Sequence, residues 1–329
     1  MPPSVNRSDS IVHAVRVLRS GGLVVFPTET VYGLGADAEN VGAVERIFAV
    51  KGRPATHPLI VHIGASEQVQ DWADGLLEPA RLLAERFWPG PLTLVLRRSN
   101  RVPLAVTGGL ETVAVRVPDH PVALELLQAF GGGVAAPSAN RFGSVSPTSA
   151  RHVREALGAR LRTAVDFVLD GGSCHVGVES TIVDCTGEHV SILRPGGVTR
   201  EDLEGALGCS VPRCAHGSIR TPGQYPSHYA PRARVILVEP DELAAEAQRL
   251  QVQGCRVGVL TPRAFEHTVA GQVMHMLVVP EPMSRYAQKL YDLLREFDRR
   301  GCDVIVATCP PQEGLGLAIV DRLRRAAGP

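Results

Sequence analysis

With 329 residues, 44% of them apolar and 21% charged, the chain can bury two globular cores and is too apolar to be disordered. Its 34 basic and 34 acidic side chains cancel, which argues against binding nucleic acid by bulk electrostatics; any RNA contact must be local, transient or made through a partner. Seven cysteines without a C-x-x-C pair suggest reduced thiols in a cytosol. The first residues lack the apolar core of a signal peptide, and no stretch is long enough to span a membrane.

Helical and strand patterns alternate from the start. Ile11, Val12, Val15 and Leu18 make one helical face, ended by Gly21-Gly22. Leu23–Phe26 reads as a buried strand stopped by Pro27. Asn40 can cap a helix carrying Val41, Val44, Ile47 and Phe48, which ends at Lys51-Gly52-Arg53-Pro54. Strands are expected at Leu59–Ile63, Leu92–Leu96, Val113–Val117, Val134–Ala136, Val165–Leu169, Thr181–Val183 and Val190–Leu193. Helices are expected near 78–88, 121–130, 148–157 and 200–207, the last opened by the capping-box pair Thr199 and Asp202. Residues 209–233 hold four prolines and no period, so they read as a semi-rigid linker. Beyond it, strands at 234–238, 257–260 and 303–307 alternate with helices at 241–252, 283–299 and 316–327, the pattern of a small, mostly parallel sheet. The expected domains are therefore 1–208 and 234–329, joined by 209–233.

Several residues could carry chemistry. Gly33-Leu34-Gly35-Ala36-Asp37-Ala38 resembles a dinucleotide fingerprint, but six residues separate it from the preceding strand, so that reading fails. Only two lysines occur, Lys51 and Lys289. A lysine retained in an arginine-rich chain suggests ammonium chemistry; equally, Lys51 could be a solvated residue offsetting a helix dipole. If Pro54 keeps Arg53 extended, Lys51 and Arg53 can face one anion. His62 reads alone as a half-buried strand histidine. Arg116, on an apolar strand, needs either a ligand anion or an internal salt bridge. Ser138 and Asn140 end a strand and suit either a turn or a phosphate. Ser146-Pro147 looks like a helix N-cap whose amides could meet an anion. Cys209, Cys214 and His216 fit no standard zinc spacing and read as linker residues.

Together, Phe26–Leu34, Lys51–Pro54, His57–Leu59, Ser138–Asn140, Ser180–Ile182 and Arg194–Gly196 resemble the YrdC-type L-threonylcarbamoyladenylate synthases in order and spacing. Pro222–Pro231 and Gly314–Leu323 resemble the linker and closing helix of the two-domain form. The resemblance implies a twisted α/β domain with a concave active site, followed by a small Rossmann-like α/β/α domain. It implies a cytoplasmic enzyme converting L-threonine, bicarbonate and ATP to threonylcarbamoyl-AMP and pyrophosphate. The product would pass to machinery that modifies tRNA beside the anticodon, with at most weak tRNA contact and no membrane. It implies threonine contacts from Thr30, His62, Arg116, Ala136 and Ser180. ATP contacts would come from Lys51, Arg53, His57, Thr112, Ser138, Asn140, Ser146 and Arg194, with Lys51 and Arg53 catalytic. A linker tyrosine would close on the nucleotide, Tyr229 being preferred to Tyr225. Mg²⁺ would arrive with ATP and be held mainly by its phosphates rather than by side chains. Two other classes remain open: a non-catalytic double-stranded RNA or tRNA-binding module, separable by the absence of ATP turnover, and a carbamoyltransferase, separable by dependence on carbamoyl phosphate.

Overall fold

The computed structural model describes residues 6–214, 228–269, 271 and 273–328. They form two compact units. The first contains the chain up to Phe142, Pro147–His175 and the segment from Glu179 to the linker; the second contains Gly143–Ser146, Val176–Val178 and the chain after the linker.

The first unit is built on a nine-stranded mixed sheet. Its strands are β1 (Val24–Phe26), β2 (Gly33–Asp37), β3 (Ile60–His62), β4 (Leu92–Arg97), β5 (Thr112–Arg116), β6 (Val134–Ala136), β7 (Phe167–Val168), β8 (Thr181–Asp184) and β9 (Ser191–Arg194). Their spatial order is β7-β1-β2-β6-β3-β5-β4-β8-β9. Strand β2 has no strand signal in the sequence. Its glycines are needed for packing: a Cβ on Gly35 would come within 2.6 Å of Val134 and 2.8 Å of Phe26.

Side-chain alternation gives the sheet two different faces. Val61, Ile63, Val113, Val115, Leu92, Leu94 and Val183 join the main core, with Val44, Ile47 and Phe48 of the helix Val41–Lys51 and Leu83 of the helix Glu78–Phe87. The opposite face carries a smaller apolar floor of Ile60, Val95, Ala114, Ile182 and Leu193. On that same face His62 lies opposite Arg116, and Ile60 lies opposite both Ala114 and Ala136. The period-2 pattern thus turns His62 and Arg116 away from the main core, onto the face of the smaller apolar floor.

One buried ion pair ties β1 to the start of β7. The Asp166 carboxylate is fully buried and accepts from Arg46 at 2.8 Å, from the Leu23 N–H at 2.9 Å and from the Arg162 N–H at 2.8 Å. Asp166→Ala is expected to cost about 1–3 kcal/mol, because it leaves the Leu23 and Arg162 amides without their acceptor, while the half-buried Arg46 keeps the Gly21 carbonyl. Urea denaturation would measure it; a loss below about 1 kcal/mol would mean that water replaces the carboxylate.

The second unit has four parallel strands, β10 (Arg234–Leu237), β11 (Val257–Thr261), β12 (His275–Val278) and β13 (Val304–Ala307), in the order β10-β13-β11-β12. This is the small parallel sheet expected from the alternating pattern. Strand β12 escapes that pattern: all four of its residues are half-buried on an edge, so no alternation marks it. The helix Leu243–Val252 packs Leu243, Ala247 and Leu250 on one face, against Val257, Val259, Val304 and Val306. The helices Met283–Arg299 and Leu315–Ala327 cover the other face and each other. There Phe297 sits so close to Gly258 that a Cβ would lie 2.3 Å from its ring.

Candidate active site

The helix Val41–Lys51 begins at Asn40, whose side chain accepts from the Ala43 N–H at 3.0 Å. It ends at Gly52, with φ +64°. Only glycine reaches that conformation without strain, and the Arg53 N–H then bonds back to the Phe48 carbonyl at 3.0 Å. The chain therefore turns at Gly52 instead of running extended. That corrects the expectation that Lys51 and Arg53 align by strand alternation.

The two cations instead reach separate anchors. Lys51 Nζ donates to the carbonyls of Ser138 and Asn140, each at 2.5 Å. Two of its three donors are thus spent on the loop after β6. Lys51 is buried, not a solvated helix-end residue. Burial first, and the neighbouring Arg53 charge second, pull its pKa well below the usual lysine range. Arg53 donates to the Pro58 carbonyl at 3.0 Å and lies 5.9 Å from the Phe142 ring. The His57 ring is 5.3 Å from the same Phe142, which the sequence did not single out. Asn140 is buried and its side-chain amide donates to the Arg141 carbonyl at 2.8 Å.

On the floor of the sheet, Arg116 is the organising residue. Its Nε donates to the Gly90 carbonyl at 3.1 Å and one terminal nitrogen to Thr30 Oγ1 at 2.9 Å. The other approaches Glu29 Oε1 at 2.6 Å, with both side chains buried. Of the two readings of Arg116, the structure contains the internal salt bridge. The bridge is incompletely hydrogen-bonded, however. The N–H does not aim at the oxygen, and both Glu29 oxygens lack a hydrogen-bond donor among the described residues. His62, beside Arg116 in the register, also has a buried Nδ1 without a partner there. Buried polar atoms are normally satisfied. Unmet hydrogen-bonding capacity is therefore concentrated at Glu29, Arg116 and His62, next to Thr30.

Burial first, and the Arg116 charge second, lower the His62 pKa from 6.5 to about 3. Between those values the unfolded chain binds a proton that the folded chain excludes, so stability rises with pH and is lost on acidification. About 1.4 kcal/mol should disappear per pH unit below 6.5. His62→Asn should flatten that acid limb in a series of thermal melts; an unchanged slope would mean that His62 is protonated in the folded chain.

The remaining expected residues fall as follows. Ala136 and Thr112 share the floor face with Ile60 and Ala114, respectively. The Ser180 hydroxyl is 2.8 Å from that of Thr93, a β4 residue not anticipated from the sequence. Arg194 is buried and donates to the Ser180 carbonyl at 2.8 Å and to its hydroxyl at 3.1 Å. Thr28, likewise unanticipated, holds the Thr30 hydroxyl at 2.8 Å.

Ser146 and Tyr229 belong to the second unit. Ser146 does not cap a helix. The helix runs Ala150–Leu157 and its cap is Ser149, which accepts from the His152 N–H at 3.3 Å. Tyr229 is buried at a strained φ of +63°, with the Arg322 guanidinium 5.1 Å from its ring. Tyr225 and His216 lie outside the described residues.

Glu29 was legible only in part. The motif Thr28-Glu29-Thr30 is conspicuous in the sequence, but a carboxylate in a loop reads as solvated until its arginine is located.

A family model described as telomere recombination, of the Sua5/YciO/YrdC type, matches residues 16–196, and one described as threonylcarbamoyl-AMP synthase, C-terminal domain, matches residues 198–328. The chain is 43% identical over 326 residues to the threonylcarbamoyl-AMP synthase of Pyrococcus abyssi, covering 96% of this chain and 93% of that one. It is 42% identical over 325 residues to that of Bacillus subtilis, covering 97% and 93%. A solved structure of P. abyssi Sua5 complexed with L-threonine matches with a TM-score of 0.90 at 40% identity, covering 98% of this chain and 95% of that one. The chain therefore belongs to the threonylcarbamoyl-AMP synthase family, in its two-domain form.

Proposed function

We propose that the first unit makes threonylcarbamoyl-AMP from L-threonine, bicarbonate and MgATP, releasing pyrophosphate. The observation that carries this reading is the concentration of unsatisfied buried groups at Glu29, His62 and Arg116. Their chemistry complements a zwitterionic hydroxy amino acid. Arg116 would bind its carboxylate, Glu29 its ammonium, and Thr30 and His62 its hydroxyl, while Ala136 and Ser180 would bound the pocket. The ammonium must become a carbamate: the amine nitrogen bonds to the carbon of bicarbonate, water leaves and one proton is released. Glu29 would take that proton.

A carbamate oxygen then attacks the α-phosphorus of ATP, and the bond to pyrophosphate breaks. Arg53, Arg194 and the remaining Lys51 donor would meet the phosphates, where charge builds on the leaving group. His57, Thr112, Ser138 and Asn140 complete the proposed nucleotide contacts. Mg²⁺ is assigned to the substrate, as the counterion of the ATP phosphates. We assign the enzyme to the cytoplasm, the reducing compartment suggested by seven cysteines without a C-x-x-C pair. Its product would be consumed by a separate activity that acylates tRNA beside the anticodon.

The test is pyrophosphate release from ATP, with threonine and bicarbonate omitted in turn. Release is expected to require both; release independent of either overturns the reading. Stimulation by carbamoyl phosphate in place of both would indicate a carbamoyltransferase instead.

A further inference from the structure

The parallel strands of the second unit end together at one edge of their sheet, and a cavity of about 830 Å³ opens there. It is a size that suits a small molecule. Its position follows from topology. The helix after β10 packs on one face of the sheet, and the helix after β13 on the other. Neighbouring strands thus feed the chain in opposite directions, and a crevice is left outside their carboxyl ends.

Three features define what would fit. The first lies in the wall, where Tyr286 is 3% exposed and its hydroxyl has no hydrogen-bond partner among the described residues. Burial raises its pKa, so it remains a donor in search of an acceptor. The second is charge. Glu239, Glu242 and Glu281 line the opening, against Arg324 as the single cation among the described lining residues. The third is the lack of a phosphate cradle at the end of β10. The Glu239 N–H is taken by the Glu242 carboxylate at 3.3 Å, and Pro240, which follows, has no N–H. Phe265, Pro262 and Pro280 supply flat apolar surface.

We propose that this cavity is a second small-molecule site, selective for an uncharged, flat, hydroxyl-bearing ligand of nucleoside size and against its phosphorylated forms. A ring nitrogen would accept from Tyr286, hydroxyls would donate to the glutamates, and the ring would lie on Phe265 and the prolines. A phosphate would meet the acidic rim and be repelled.

Cys309 lines the same cavity and reports on it. The full chain is treated with iodoacetamide at alkaline pH, with adenosine or AMP as probe, and alkylation is followed peptide by peptide. Adenosine at ten times its dissociation constant should slow modification of Cys309 about tenfold, while Cys255 reacts at its usual rate. AMP should protect several-fold less. Tyr286→Phe, checked by thermal melting, should abolish protection, and Glu239→Gln on the exposed rim should weaken it. Protection arising from nucleotide bound in the first unit would survive Tyr286→Phe. Such survival, equal or better protection by AMP, or no protection at all would overturn the proposal.

Discussion

Replacing Lys51 with alanine is expected to lower kcat/KM for pyrophosphate release about 10²–10³-fold, the range typical of losing one preorganised charge-stabilising donor. Two effects combine. One donor that would meet the phosphates is removed, and the carbonyls of Ser138 and Asn140 lose the ammonium that holds them at 2.5 Å. Buried carbonyls without a donor cost about 1–3 kcal/mol each, so the loop after β6 should shift even though the chain still folds. Lys51→Arg should rescue little. A planar fork cannot place one nitrogen between two converging carbonyls as a compact ammonium does. Steady-state kinetics on both variants, with urea denaturation in parallel, would settle the matter. Near-normal turnover in Lys51→Ala would remove Lys51 from the reaction altogether.

Arg116 offers the second large effect, and it separates binding from stability. Arg116→Ala leaves Glu29 as a buried carboxylate without its cation, and breaking a buried pair in this way costs about 3–5 kcal/mol. Pairing it with Glu29→Gln should recover a substantial part of that loss, because the amide carries no charge to strand. Threonine use should not recover in the double variant, since the group proposed for its carboxylate is still missing. Glu29→Gln alone keeps the shape but cannot take a proton. It should therefore reduce kcat as well as threonine affinity, while the KM for ATP stays near wild type. Full recovery of threonine turnover in the double variant would remove both Arg116 and Glu29 from the reaction.

Local signals in the sequence anticipated much of this molecule. Alternation of strand and helix patterns, the caps at Asn40 and Thr199, and the parallel character of the second sheet depend on neighbours within a few residues, so they survive in one dimension. Strands β2 and β12 did not register. The first is glycine-rich because of close packing against Phe26 and Val134, and the second is an edge strand with no buried alternation. The cap expected at Ser146 lies three residues later, at Ser149, where the His152 N–H finds its acceptor.

The residue types at the site, and their order along the chain, belong to the amino-acid sequence, as does the period that turns His62 and Arg116 away from the main core. Which groups meet was decided only in three dimensions. Glu29 finds Arg116 across 87 residues of chain, Lys51 spends its donors on carbonyls at 138 and 140, and the 830 Å³ cavity exists only because the helices after neighbouring strands leave on opposite faces. Pairing of charges and closure of cavities depend on distance through space, and local sequence preference carries no term for it.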